Sequence, residues 1–239
     1  IVDANVLFLS SDSGHMANCI SEYSGQHGVR IQECSPQISQ STFRDNTLSG
    51  LYASGSGTPT ITDNVFTDNG QYAAYLNQAT ISPLIAGNTG SGNQINALAF
   101  RGSVTADQTW TSTPGFPIVL LSSVTVSDDV RLTITAGTVV KFGGRYQLLV
   151  YGTLDANGSQ ASRVVFTSLT DDYDGDTNGD GDATAPTVGD WHGIYLSGTG
   201  DNDGIGELEY CLLRYGGYAG GIVDANVLFL SSDSGHMAN

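Results

Sequence analysis

The chain has 239 residues, 24 of them acidic and eight basic, for a net charge of −16. Such a surface repels nucleic acid and anionic lipid, whose phosphates need Lys and Arg, but attracts divalent cations, and no apolar run approaches the ~18 residues that cross a membrane. Its three cysteines, Cys19, Cys34 and Cys211, are too few and too scattered for a disulfide framework or a zinc site, and 31 glycines among many Ser, Thr and Asn point to a turn-rich all-β chain.

Residues 1–18, IVDANVLFLSSDSGHMAN, return unchanged as residues 222–239, an offset of 221. An old duplication would carry scattered substitutions, so the copies are recent, homogenised or artificial. The periodic reading makes the chain a window on a tandemly repeated protein, not a whole gene product; the alternative is a terminus copied artificially. A closed domain has no reason to begin and end on one strand, whereas a stretch longer than one period must.

Residues 1–102 repeat at a shorter step. Pro36, Pro59 and Pro83 are 23 and 24 apart, as are Ile38, Ile61 and Ile85, and Phe43 and Phe66 are 23 apart. Arg44-Asp45-Asn46 returns as Thr67-Asp68-Asn69, and Leu51-Tyr52 as Ala74-Tyr75 and Leu98-Ala99. Each step reads as an alternating strand, an Asx-rich corner, a second short strand and a Gly-rich turn. Alternation places Ile38, Ile61 and Ile85 on one face, to be stacked from coil to coil. A step of 22 to 29 residues with β alternation predicts a parallel β-helix, a β-solenoid.

Residues 103–117 interrupt the pattern with Trp110, Pro114, Gly115 and Pro117, as an irregular connection or a module boundary. Coils resume over 118–169. Residues 170–190 then form an acidic insertion. Asp176-x-Asn178-x-Asp180-Gly181 matches the first half of an EF-hand loop, in which alternate oxygen ligands and a glycine wrap a hard cation. The closing Glu is missing, since position twelve is Thr187. Asp171, Asp172, Asp174, Asp182 and Asp190 crowd the same stretch, with no Lys or Arg between Arg163 and Arg214. The expected ligands are Asp172, Asp174, Asp176, Asn178, Asp180, Asp182 and Asp190, and the expected ion is calcium, holding a long loop closed rather than taking part in chemistry.

Residues 191–239 return to coils, with 222–239 as the start of the next period. Gly193, Gly221 and the next period's Gly28 are spaced by 28, and Cys211 and Tyr215 map onto the next Cys19 and Tyr23 at a step of 29. This register stacks Cys211 on the following Cys19, as a buried ladder or a disulfide. At ~25 residues a coil, one period holds about eight coils.

The segments GELEYCLLRYGGYAGGI, LTITAGTVVKF, LLVYGTLDANGSQASRVVFTS, SPQISQSTFRDN and TPTITDNVFTDN resemble the right-handed parallel β-helix modules of large secreted surface proteins and adhesins of bacteria and archaea. The resemblance implies the fold and an extracellular or cell-surface location, and says little about activity. Parallel β-helices also include pectate lyases and polygalacturonases, which need paired carboxylates, or calcium with a basic residue. Here Asp45 and Asp68 occupy equivalent corners, where Asp-Asn serves the turn, and Asp128-Asp129 reads as an exposed turn. His15, His27, His192 and His236 read as turn or partly buried residues, Lys141 is the only lysine, and the signatures expected of a polygalacturonase-like enzyme are absent. The sequence is therefore read as non-enzymatic: one period of an extracellular fibre, stalk or adhesin, whose partners are its own neighbouring repeats. Tyr52 and Tyr75, one coil apart, leave glycan binding open, against coil-to-coil stacking.

Overall fold

A computed structural model describes the chain apart from residues 1–2, 11–13, 56, 78–84, 199–203, 219–224, 230–233 and 239; for Ser234–Ala238 it describes the backbone alone. Among the described residues there is no helix, and the 26 strands stack from coil to coil in parallel pairs such as Ala4–Leu9 with His27–Gln32, Val124–Val126 with Gln147–Val150 and Gln37–Ser39 with Thr60–Thr62. The chain is an all-β parallel solenoid of about seven turns.

Two compact units divide the chain. The first is Ile1–Phe100 with Ser112–Ile118 and Asp172–Ala183, and the second is Arg101–Thr111, Val119–Asp171 and Thr184–Asn239. In chain order the first holds β1 (Ala4–Leu9), β2 (His15–Ala17), β3 (Ile20–Glu22), β4 (His27–Gln32), β5 (Gln37–Ser39), β6 (Thr42–Arg44), β7 (Leu51–Ser54), β8 (Thr60–Thr62), β9 (Val65–Thr67), β10 (Tyr72–Asn77), β11 (Ile85–Ala86), β12 (Thr89–Ser91) and β13 (Ile95–Arg101). Every third strand stacks, giving the series β1-β4-β7-β10-β13, β2-β5-β8-β11 and β3-β6-β9-β12.

The predicted ladders are present. Ile38 lies opposite Ile61, Ile61 opposite Ile85, and Phe43 opposite Phe66, all buried, with the two Phe rings stacked at 5.1 Å. Each buried aliphatic or aromatic side chain contributes about 1.5–3 kcal/mol by leaving water. The corners are built from two kinds of residue with opposite tasks. Asp45, Asp63 and Asp68 take the left-handed conformation (φ 54°, 56° and 55°), which Asp tolerates and which turns the chain. In the following coil the equivalents of Asp63 and Asp68 are Gly87 and Gly92, also at positive φ. The residue after each points inward. Asn46, Asn69 and Asn93 form one row, with Nδ2 of each donating to Oδ1 of the next at 2.9 and 2.7 Å; Asn64 and Asn88 form a second at 3.1 Å. These amides also accept from backbone N–H groups and donate to the carbonyls of Phe43, Phe66, Ile38 and Ile61. The corner polar groups are thus satisfied inside the coil, where an unmet one is costly.

The second unit holds β14 (Gln108–Trp110), β15 (Ile118–Leu120), β16 (Val124–Val126), β17 (Arg131–Thr135), β18 (Val139–Phe142), β19 (Gln147–Val150), β20 (Thr153–Asn157), β21 (Val164–Ser168), β22 (Gly193–Leu196), β23 (Ile205–Glu209), β24 (Cys211–Leu213), β25 (Val227–Phe229) and β26 (Ser234–Ala238). Its series are β15-β18-β21-β24, β16-β19-β22-β25 and β14-β17-β20-β23-β26. The connection over 103–117 is not wholly irregular: β14 pairs with β17, Trp110 opposite Ile134. Val124, Leu148 and Ile194 make a buried row, as do Ile134, Ala156 and Leu208.

The register expected through the duplicated segment needs correction. Equal steps of 28 place Ile194 opposite Ile222, whereas the structure pairs Ile194 with Val227, 33 residues on. In the first copy Val6 pairs with Val29, a step of 23. Inward-facing residues decide the pairing, and a strand can loop out extra residues at a corner to reach it, so the spacing of glycines misplaced the midpoint. The step of 29 expected for Cys211 and Tyr215 is present just before them, where Glu209 pairs with Ala238. Tyr210 and Tyr215 are left-handed, and so are Asn18 and Tyr23.

Candidate functional site

The acidic loop draws its geometry from both ends. At its entry, in the second unit, Asp171 is buried against two cations that the sequence places far away. Its carboxylate takes a hydrogen bond from Thr167 Oγ1 (2.5 Å) and an ion pair from Arg214 (3.2 Å), and its carbonyl accepts from Lys141 Nζ at 2.7 Å. Lys141 is fully buried. Beside this cluster Trp191 stacks on Phe142 at 4.1 Å and donates Nε1 to the Arg214 carbonyl. The loop's lack of internal Lys or Arg therefore does not leave Asp171 unneutralised. Its anchor residues Lys141 and Arg214 escaped sequence reasoning because strand stacking, rather than sequence proximity, brings them there.

At the exit, Asp190 accepts from Thr187 N (3.0 Å), Thr187 Oγ1 (2.5 Å) and Thr170 Oγ1 (3.4 Å). Burial works against this carboxylate's charge, but the hydrogen bonds from Thr187, Ser168 and Thr170 outweigh it and hold its pKa below the ordinary value. With Phe142, Arg145 and Thr184 it lines a cleft of about 340 Å³.

The middle of the loop belongs to the first unit. Asp174, at φ 65°, accepts from Gly115 N at 3.0 Å. Asp176 folds back on its own turn, accepting from the N–H groups of Gly179 (2.8 Å), Asp180 (3.3 Å) and Gly181 (2.8 Å). Asn178 donates to Asp180 at 2.9 Å, while Asp172 and Asp182 are exposed. The donors are the hard oxygens calcium prefers. Among the described residues, however, no three His, Cys, Asp or Glu side chains converge as an ion would need. Backbone amides occupy the carboxylate of Asp176 instead.

A second candidate lies on the first unit. Asp3, His27, Arg30, Leu48, Tyr52, Gln71 and Tyr75 line a cleft of about 290 Å³. Tyr52 stacks on His27 at 4.7 Å and meets the edge of Tyr75 at 5.5 Å, with Arg30, ion-paired to Asp3, 5.8 Å from its centre. Much of the ring surface is thus taken by neighbours in adjacent coils. His27 Nδ1 accepts from Ser49 N, and burial lowers the His27 pKa, opposed by Asp3 and helped by Arg30. Elsewhere, Asp45 and Asp68 stand at corners, and Asp129 is a left-handed turn residue whose N–H meets the Asp128 carboxylate. His192 packs against Tyr218, which also lies under Arg145.

No curated protein and no solved structure matches the chain. Residues 3–129, more than half of it, match the family described as "Right handed beta helix region". Matching ladders, left-handed corners and parallel stacking run through both units, and the chain belongs to the right-handed β-helix family.

Proposed function

We propose that the chain is the structural unit of an extracellular tandem-repeat fibre or stalk, displayed at the cell surface. The observation that carries this reading is the unchanged 18-residue duplication, each copy of which is strand-paired into a coil. A repeat of this kind supports a mechanical role. Hydrogen bonds between coils bear along the axis, each coil covers its neighbour's open edge, and equal units keep rise and twist constant. The reading assigns no catalysis. Antibody to the chain should decorate filaments on, or sheared from, the cells that make it; labelling confined to dispersed globular particles would overturn it.

Calcium is proposed as a ligand of the 170–190 loop. With its donors unassembled, ordering the loop draws on the binding energy, which favours the weak affinities of extracellular modules, about 10⁻⁴–10⁻³ M. Glycan capture is a second reading, favoured by the mixed aromatic and charged cleft at Tyr52 and Tyr75. A glycan array separates the two: saturable binding lost in Tyr52→Ala supports capture, and a blank array leaves the fibre.

A further inference from the structure

The two copies of the duplicated segment are paired on complementary edges. In the first unit β1 is bonded to β4 and β2 to β5; in the second, β25 is bonded to β22 and β26 to β23, and all four of these strands end their series. A strand has two hydrogen-bonding edges. The first copy uses the edge toward the following coil, and the second the edge toward the preceding one.

Because the sequences are identical, both registers can be written for one segment. Val6, duplicated as Val227, pairs with Val29 in one place and Ile194 in the other. Phe8, as Phe229, pairs with Ile31 and Leu196; Met16, as Met237, pairs with Ile38 and Leu208. All six partners are buried. A one-residue slip on either side would set an inward row against an outward one, yet both strands agree.

We infer that two copies of the 221-residue period join end to end through one shared duplicated coil, so that β22 and β23 of one copy lead through it to β4 and β5 of the next. This rests on the fibre reading and specifies its junction. The third pair then follows: β24 of one copy meets β3 of the next, setting Cys211 beside Cys19, Leu212 beside Ile20 and Leu213 beside Ser21.

Two independent features fit that third pair. The corners match, with left-handed residues at Tyr210 and Tyr215 (φ 48° and 61°) and at Asn18 and Tyr23 (φ 53° and 55°). The surface to be covered is also where the first unit leaves large apolar side chains bare: Ile20 is 63% exposed and Tyr23 72%. Exposed apolar groups on an open strand edge mark a surface meant for a partner.

The test is hydrogen exchange on a two-period chain, residues 1–239 followed by a second 19–239, against the 239-residue chain. The junction predicts that amides of β24 in the first period and β3 in the second exchange at least tenfold more slowly than in the single chain. Ile20→Asp in the second period should restore fast exchange there, while the same change in the single chain leaves its melting temperature unmoved. Unchanged exchange at both strands overturns the junction, as does Ile20→Asp behaving alike in both chains. Electron microscopy of the same sample keeps the outcomes apart: a straight rod with unprotected strands leaves the fibre standing, whereas two loose particles sink both.

Discussion

Replacing Asn69 with alanine tests the interior amide row. Asn69 Oδ1 accepts from Asn46 Nδ2 (2.9 Å) and Asn46 N (3.3 Å), and its Nδ2 donates to the Phe43 carbonyl (3.0 Å) and Asn93 Oδ1 (2.7 Å). Asn46 Nδ2 retains the Ser21 carbonyl. The Asn46 amide N–H and the Phe43 carbonyl lose the bonds that Asn69 makes to them inside the coil. At about 1–3 kcal/mol for each stranded buried group, plus a small void, Asn69→Ala should cost about 3–6 kcal/mol. That is a large fraction of the roughly 5–15 kcal/mol that holds a domain together. Urea unfolding followed by circular dichroism gives the difference from the midpoint shift at constant slope. A loss under 1 kcal/mol would refute the reasoning, because the row would then be dispensable.

Asp68→Gly should leave stability within about 0.5 kcal/mol, since Gly92 already fills the equivalent corner, while Asp68→Val should lose about 1–2 kcal/mol by forcing a β-branched residue left-handed; the same urea titrations decide. Burial raises the Cys211 pKa to about 12, with Arg163 opposing, so maleimide at pH 8 should label exposed Cys19 and leave Cys211 unmodified in the folded chain, as read by peptide mass mapping. The same shift has a sign in stability. The unfolded thiol ionises near pH 9 and the folded one does not, so stability is complete below pH 9 and falls as pH rises toward about 12. Cys211→Ala should lessen that fall. His27, whose pKa is lowered, contributes in the other direction: its stability is present above about pH 6.5 and lost as the solution is acidified, and His27→Gln should flatten the acid limb of a melting curve. Chelation should expose the 170–190 loop to protease and lower the melting temperature, with millimolar calcium restoring both; an unchanged digestion pattern counts against the ion.

The repeating coil was legible because three signals agree at one step. Ile38, Ile61 and Ile85, Phe43 and Phe66, and the paired Asp-Asn corners all advance by 23 or 24 residues, and pairing follows them. The corners' division of labour was only half legible. Asp-Asn reads as turn chemistry, but that Asp carries the strain while Asn turns inward to bond its counterpart appears only in three dimensions. Past residue 190 the step lengthens to 29 and 33, and spacing alone loses to the inward-facing pattern. Glycines were the wrong guide there because a loop between strands can absorb any number of residues.

The acidic loop shows a different limit. Its charge was plain in the sequence, and Asp176, Asn178 and Asp180 do share one turn, but Asp176 is held by three backbone amides. Alternating oxygens along a chain describe a ligand set without its convergence. Lys141 and Arg214, 30 and 43 residues from Asp171, could be connected to it only through the stacking of β18, β21 and β24.

Chains of one, two and three periods imaged by electron microscopy test the fibre most directly. The account predicts straight rods that lengthen by an equal increment with each added period, on the order of 35 Å for seven turns at ~4.8 Å. Particles of scattered length, or separate beads on a flexible string, would contradict it.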